Sequence, residues 1–138
     1  HKTAALMNIL GTHDTERILT VLGCDNAGEM QNAELAEFKL GEEQRKEAIL
    51  RLKIASLLQF TLPGIPCVYY GDEAGIEGWE DPFNRSTYPW GREDVSLQAH
   101  FRKLGQLRKA GAARTEDVFL LTVDEAGSVV CVLKEESK

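Results

Sequence analysis

Cysteine is scarce, odd in number and scattered: Cys24, Cys67 and Cys131 are three in 138 residues, and no C-x-x-C brings two together. Only three histidines accompany them, His1, His13 and His100. That inventory excludes a disulfide-built scaffold and offers no zinc-ligand spacing, so no metal site is expected. The thiols read as reduced and mostly buried. This favours a reducing, cytoplasmic compartment over a secreted one, although the residues carry no address. Basic charge is also in deficit. With 16 Lys+Arg against 22 Asp+Glu the net charge is −6, the wrong sign for neutralising nucleic-acid phosphates or an anionic membrane surface. No run approaches the ~18 apolar residues of a membrane span, and no basic segment followed by an apolar one opens the chain. Repeats and low-complexity linkers are absent too. What is present, 43% apolar residues in 15.4 kDa, is enough for one ordinary core burying roughly two-thirds of the unfolded surface. The first residue is His1 rather than Met, which suggests a piece of something longer.

Residues 4–10 (AALMNIL) are a short apolar run bounded by Gly11-Thr12-His13-Asp14-Thr15, the pattern of a buried strand ending in a loop. Asp14 or Thr15 is placed to cap a short helix over 16–22 that Gly23 closes. A polar stretch follows, with a helical turn or two near 32–38. The clearest helix runs from Glu42 to Phe60. Acids lead and bases follow, Glu42 pairs with Lys46 and Glu47 with Arg51 at i, i+4. Its second half is apolar on more than one face, which predicts deep packing. Ile65–Tyr70 reads as a second strand, buried on both faces in a parallel sheet. Strand, helix and strand thus form a right-handed βαβ unit, an α/β fold class. Both strands end in polar clusters, where parallel α/β folds gather their ligand-binding groups. A long loop over 74–92 precedes an amphipathic helix over 94–109 with Leu97, Phe101, Leu104 and Leu107 on one stripe. The pairing of 118–123 with 128–133 across Asp124–Gly127 reads as a β-hairpin.

The chemical candidates are the loop carboxylates Asp14, Asp72, Glu73 and Asp81, together with His13. Two carboxyl groups across a cleft can do acid/base or nucleophilic work on a glycosidic bond; loop carboxylates equally serve as helix caps. On spacing alone the four carboxylates rank alike, and His13-Asp14 could be a capping Asp beside a loop His or a pair aimed into one pocket. Residues 79–92 (WEDPFNRSTYPWGR) interleave four aromatics with Asp81, Asn84, Arg85 and Arg92. Rings for the apolar faces of sugars and bidentate groups for their hydroxyls would make a sugar-binding wall. Tyr88 and Trp90 are expected instead to anchor the loop to the core.

NILGTHDTER (8–17) followed by PGIPCVYYGDEAGIEG (63–78) and the D-P-x-N-R…P-W run to Trp90 resembles the α-amylase family of retaining glycoside hydrolases, most closely its neopullulanase, cyclomaltodextrinase and maltogenic amylase members. The resemblance implies the last two βα units of a (β/α)8 TIM barrel over residues 1–113. The first hairpin of an all-β domain would follow over 114–138. It implies that Asp14 binds the reacting sugar's hydroxyls and stabilises the transition state, being neither nucleophile nor acid. His13 would bind the same sugar, and Asp81 and Arg85 would reach sugars on the non-reducing side. Asp72 and Glu73 would support the rim. The partner implied is an α-glucan or maltooligosaccharide; no organic cofactor is implied, and calcium in the parent is left open. The family's nucleophilic Asp and acid Glu follow its fourth and fifth strands, and no segment here matches those signatures. A barrel of this kind needs on the order of 250 residues. The expectation is therefore a fragment cut at both ends, inactive alone, its open strand edges inviting swapped or oligomeric assembly. Two alternatives are a piece of a non-catalytic amylase-like subunit and a sugar-binding module.

Overall fold

The computed structural model describes residues 6–24, 30–110, 118–123 and 129–134, the last two segments as backbone. Strand β1 (Met7–Ile9) lies parallel to β2 (Ile65–Cys67), with Met7 opposite Ile65, Asn8 opposite Pro66 and Ile9 opposite Cys67. Helices α1 (Ile18–Gly23), α2 (Asn32–Glu37) and α3 (Glu42–Thr61) lie between them in sequence. After β2 come a long loop holding a 3-10 turn (Phe83–Arg85), helix α4 (Val95–Lys109) and the antiparallel pair β3 (Val118–Val123) and β4 (Val129–Lys134). The expected parallel β–α–β unit and the terminal strand pairing are both present. The boundary placed at 113/114 and the turn at 124–127 lie outside the described residues.

Local chemistry accounts for the helices. On α3, Lys46 reaches Glu42 and Glu43 at 3.0 and 2.9 Å, and Arg51 pairs with Glu47. Asp94 Oδ1 accepts the Ser96 and Leu97 amides at 3.0 Å, satisfying two donors at the start of α4, and Arg108 and Lys109 complement the dipole at its end. The core is Leu19, Leu40, Ala48, Leu52, Leu97 and Phe101. Gly23 allows α1 to approach it: a Cβ there would stand 2.7 Å from Leu40 Cδ1 and 3.0 Å from the Ala48 Cβ.

Several expectations are corrected. Neither Asp14 nor Thr15 caps α1, whose preceding residue is Arg17 with no side-chain cap. Thr15 instead closes its own turn, its Oγ1 accepting the Thr12 amide at 2.9 Å. The strands are not buried on both faces. Met7, Ile9 and Ile65 are 66, 49 and 51% exposed, because α3 covers one face only, and the side chain that meets it there from β1 is the polar Asn8. Buried Gln59 of α3 donates to the Asn8 and Cys67 carbonyls at 3.0 and 2.8 Å, and Asn8 Nδ2 returns a bond to the Gln59 carbonyl at 3.2 Å. The second half of α3 is not deeply packed either. Its buried stripe is Ala48, Leu52, Ser56 and Gln59, and Ile54 and Leu57 lie outside it, exposed. Leu107 is likewise exposed in the last turn of α4. Cys67 is exposed and Cys24 half-buried, against the expectation of mostly buried thiols; the Cys131 side chain lies outside the described residues.

Candidate functional site

The loop after β1 and the long loop after β2 meet at one end of the parallel pair. The first of these loops is shaped by Thr15, whose Oγ1 accepts the Thr12 amide and donates to the Thr12 carbonyl, and by Thr12, whose Oγ1 accepts the Asp14 amide at 3.1 Å. This turn presents His13 and Asp14 to solvent. The second loop is anchored by the buried run 71–79, of which only Glu73 is partly exposed, and its 3-10 turn aims two neighbours in opposite directions. Asn84 points inward, fully buried, and donates to the His13 and Thr15 carbonyls at 2.8 and 2.7 Å. Arg85 points outward, its Nη2 3.0 Å from Asp81 Oδ2 and 3.7 Å from Asp14 Oδ1. His13 Nε2 lies 3.1 Å from Asp14 Oδ2. The structure thus brings all four expected site residues into one chain of contacts, His13–Asp14–Arg85–Asp81. Its members are open: Asp14 is 72% exposed and Arg85 44%. A guanidinium between two carboxylates relieves their repulsion while leaving carboxylate lone pairs to accept from a polar ligand.

Asp72 and Glu73 lie outside that cluster. Glu73 accepts the Gly71 amide at 2.9 Å. Asp72 is buried and faces Arg17 Nη1 at 3.3 Å. Burial pushes its carboxyl up to about 6, with Arg17 pulling the other way. Arg17 is itself 1% exposed; it donates to the Tyr70 carbonyl and lies over the Tyr69 and Tyr70 rings at 4.3 and 4.6 Å. Its amide donates to the Gly78 carbonyl at 2.9 Å, and the Gly78 amide donates to Thr20 Oγ1 at 2.9 Å. The two loops are therefore clasped twice from below, by Arg17 and by Asn84.

Arg17 is the residue that sequence reasoning missed. Its signal was a charge three positions after Asp14 facing a Tyr-Tyr-Gly-Asp run at the other strand's end. The expected sugar wall is also redrawn. Asn84 reads backbone carbonyls rather than hydroxyls. Trp79 is buried against the Phe38 ring at 5.2 Å, because 71–79 runs through the interior. Trp90, expected as an anchor, is 81% exposed and leans on the half-buried Tyr88 at 4.5 Å. Among the described residues no group of three His, Cys, Asp or Glu side chains is placed to hold a metal ion, and no helix is long and apolar enough to cross a membrane.

The chain is similar in sequence and in fold to several known proteins. An amylopullulanase of Thermoanaerobacter thermohydrosulfuricus is 51% identical over 102 residues, 74% of this chain and 6% of that protein. A cyclomaltodextrinase of Bacillus sp is 32% identical over 136 residues, 96% of this chain and 20% of that one. The chain therefore spans a small part of the curated relatives it matches. Among solved structures, the alpha-amylase of Geobacillus thermoleovorans, crystallised with acarbose, superposes with a TM-score of 0.62 at 26% identity, covering 92% of this chain and 24% of that one. The family profile described as alpha amylase, catalytic domain, matches residues 1–118, and on that extent the chain belongs to the alpha-amylase family.

Proposed function

We propose that this chain supplies the closing two βα units of a (β/α)8 barrel and the substrate-holding side of an active site that hydrolyses α-glucans with retention. The parent's substrates would be starch, pullulan, maltodextrin or cyclodextrin. One observation carries the reading: four residues from two loops, 71 positions apart between Asn84 and the His13 carbonyl it binds, converge on an exposed cluster centred on Asp14. In this reading Asp14 accepts hydrogen bonds from the reacting sugar's hydroxyls. Those bonds tighten as the ring gains oxocarbenium character, so the carboxylate favours the transition state over the bound sugar. His13, 3.1 Å from Asp14, donates to the same sugar. Arg85 and Asp81 hold the next sugar on the non-reducing side, where a guanidinium and a carboxylate can read vicinal hydroxyls from both directions. The exposed apolar side chains of Met7, Ile9 and Ile65 support the barrel, since such residues fill its interior in layers. The same face supports association of separate chains in solution.

The nucleophile and acid are not among the motifs of these 138 residues, so the chain binds but does not cut. The test is a titration of the 138-residue protein with maltotriose, followed by amide and imidazole NMR shifts, beside an assay for released glucose and maltose. Saturable shifts at His13, Asp14, Asp81 and Arg85 are expected, weakened about tenfold or more in Asp14→Asn, the loss of charge-assisted bonds, with no sugar released. Binding indifferent to Asp14→Asn, or hydrolysis that Asp14→Ala abolishes, overturns the proposal.

A further inference from the structure

A cavity of about 330 Å³ between the segment that follows α2 and the long loop has a neutral floor and a cationic rim. Arg45 of α3 forms the floor. Its guanidinium donates to the Gly75 carbonyl at 3.3 Å, pairs with buried Glu77 and lies 3.6 Å from Asp94. Gly75 admits it there: φ is +76°, and a Cβ would stand 2.8 Å from Arg45 Nη2. Each carboxylate oxygen around this guanidinium has a partner. Glu77 accepts Arg45 through Oε1 and the Leu40 amide, at 2.8 Å, through Oε2. Asp94 accepts the Ser96 and Leu97 amides through Oδ1 and turns Oδ2 toward Arg45.

The rim lacks such balance. Lys39 and Arg92 come from opposite ends of the sequence around the cavity, both are exposed, and both line it. Neither has a carboxylate within ion-pair distance among the described residues. The nearby Glu77 and Asp94 are already engaged by Arg45, so they do not neutralise the rim. The exposed Ser86 and Thr87 add hydroxyl donors to the same wall. In a chain with 22 acids against 16 bases, two unpaired cations on one concave surface mark a place for an anion that the protein does not supply. The Asp14–Arg85–Asp81 cluster has the opposite balance, one cation between two carboxylates, and repels such a ligand.

We infer that this cavity binds a phosphoryl group, as a small phosphate monoester or as inorganic phosphate. Arg92 offers a planar fork, Lys39 a point charge and the two hydroxyls neutral donors, a set matched to the several acceptor oxygens of a tetrahedral anion. A phosphate monoester carries about −1.5 to −2 charges at pH 7, which the two rim cations offset. The volume lies at the lower end of small-molecule sites, roughly 300–1,000 Å³, so a small organic group fits beside the phosphoryl against Ile76 and Pro89.

The 138-residue protein is titrated at constant ionic strength with inorganic phosphate, glucose 6-phosphate and glucose, followed by amide NMR shifts. Saturable shifts at Lys39, Ser86, Thr87 and Arg92 are expected with both phosphates and not with glucose. Tighter binding of glucose 6-phosphate assigns the monoester as the ligand, and equal binding assigns the free ion. The double variant Lys39→Ala/Arg92→Ala is expected to bind phosphate about tenfold more weakly or worse, the loss of charge-assisted bonds, and to melt at the wild-type temperature, both side chains being exposed. Arg92→Lys keeps the charge without the fork, and a smaller loss is expected. Shifts that glucose or sodium chloride reproduces at these residues, or a phosphate affinity unchanged in both variants, overturn the site.

Discussion

Two arginine–aspartate arrangements sit on the same pair of loops and differ in almost everything but composition. Arg17 and Asp72 meet in the interior, their side chains 0 and 5% exposed. Arg85 meets Asp14 and Asp81 at the surface, with side chains 44, 72 and 55% exposed. Water screens the second group, so its members lose little by separating and can exchange partners for a ligand. In the first group neither charge has a second ion-pair partner among the described residues, so removing one leaves the other buried without a counter-charge. The same chemistry therefore acts as a clasp where it is dry and, in the proposed function, as a docking point where it is wet. The clasp supports the open cluster: Arg17 and Asp14 are three residues apart, and Asp72 lies at the foot of the loop that carries Arg85.

The largest break of this comparison is Arg17→Met. It removes the counter-charge of Asp72, the bond to the Tyr70 carbonyl and the stacking on Tyr69 and Tyr70. A loss of about 3–5 kcal/mol is expected in urea unfolding. Adding Asp72→Asn to it should return part of that loss, since the stranded carboxylate goes too. Additive losses in the double variant would mean that the two residues are not coupled and that the clasp is incidental.

Proton linkage reads the same pair more gently. Burial holds Asp72 at about 6, above its ordinary 3.8. Between those values the folded chain keeps a proton that the unfolded chain releases. The stability this group adds is therefore full below about pH 3.8 and is lost as pH rises through about 6, roughly 3 kcal/mol in all. Unfolding free energies from pH 4 to pH 7.5 should fall in the wild type relative to Asp72→Asn, which has no proton to lose. Parallel curves for the two proteins would show that Arg17, not burial, governs the carboxyl.

Asn84 joins the two arrangements, since its neighbour Arg85 belongs to the open cluster while its own side chain is fully buried. Asn84→Ala leaves the His13 and Thr15 carbonyls without their donor, and a loss of about 2 kcal/mol is expected in thermal or urea unfolding. The His13 and Asp14 resonances should broaden as their loop loosens. Sharp, unshifted signals there would assign the loop's shape to Thr12 and Thr15 alone.

How much of this was legible follows from what sequence patterns encode. The helix over 42–60 declared itself through its order of charges, α4 through Asp94 and its stripe, and the parallel pair through two apolar runs ending in polar turns. Burial was not encoded. Asp14, Asp72, Glu73 and Asp81 are equivalent as letters, and only the motif resemblance separated them; in the structure Asp72 is dry, Glu73 partly exposed, and Asp14 and Asp81 exposed. Trp79 and Trp90 exchanged their expected places for the same reason: an aromatic in a Gly- and Pro-rich loop carries no mark of which side faces inward. Asn8 and Gln59 hid the strand–helix contact, because apolar patterning does not signal an interface built on amide side chains. Arg17 stayed unnoticed in a motif known for its neighbours.

The smallest expected effect on stability is also the sharpest test of the contrast. Arg85→Met removes two surface contacts of 3.0 and 3.7 Å, and such exposed pairs contribute less than about 1 kcal/mol. Its unfolding curve should nearly overlay the wild type, whereas Arg17→Met, an identical change 68 positions earlier in the sequence, should shift it by several times as much. Under the proposed function maltotriose binding should respond in the opposite sense, since Arg85 lies between Asp14 and Asp81 at 3.7 and 3.0 Å. A stable Arg85→Met protein with weakened binding separates holding the fold from holding the sugar. If Arg85→Met instead destabilises as much as Arg17→Met, the cluster is part of the scaffold, and the distinction between the dry pair and the wet one disappears.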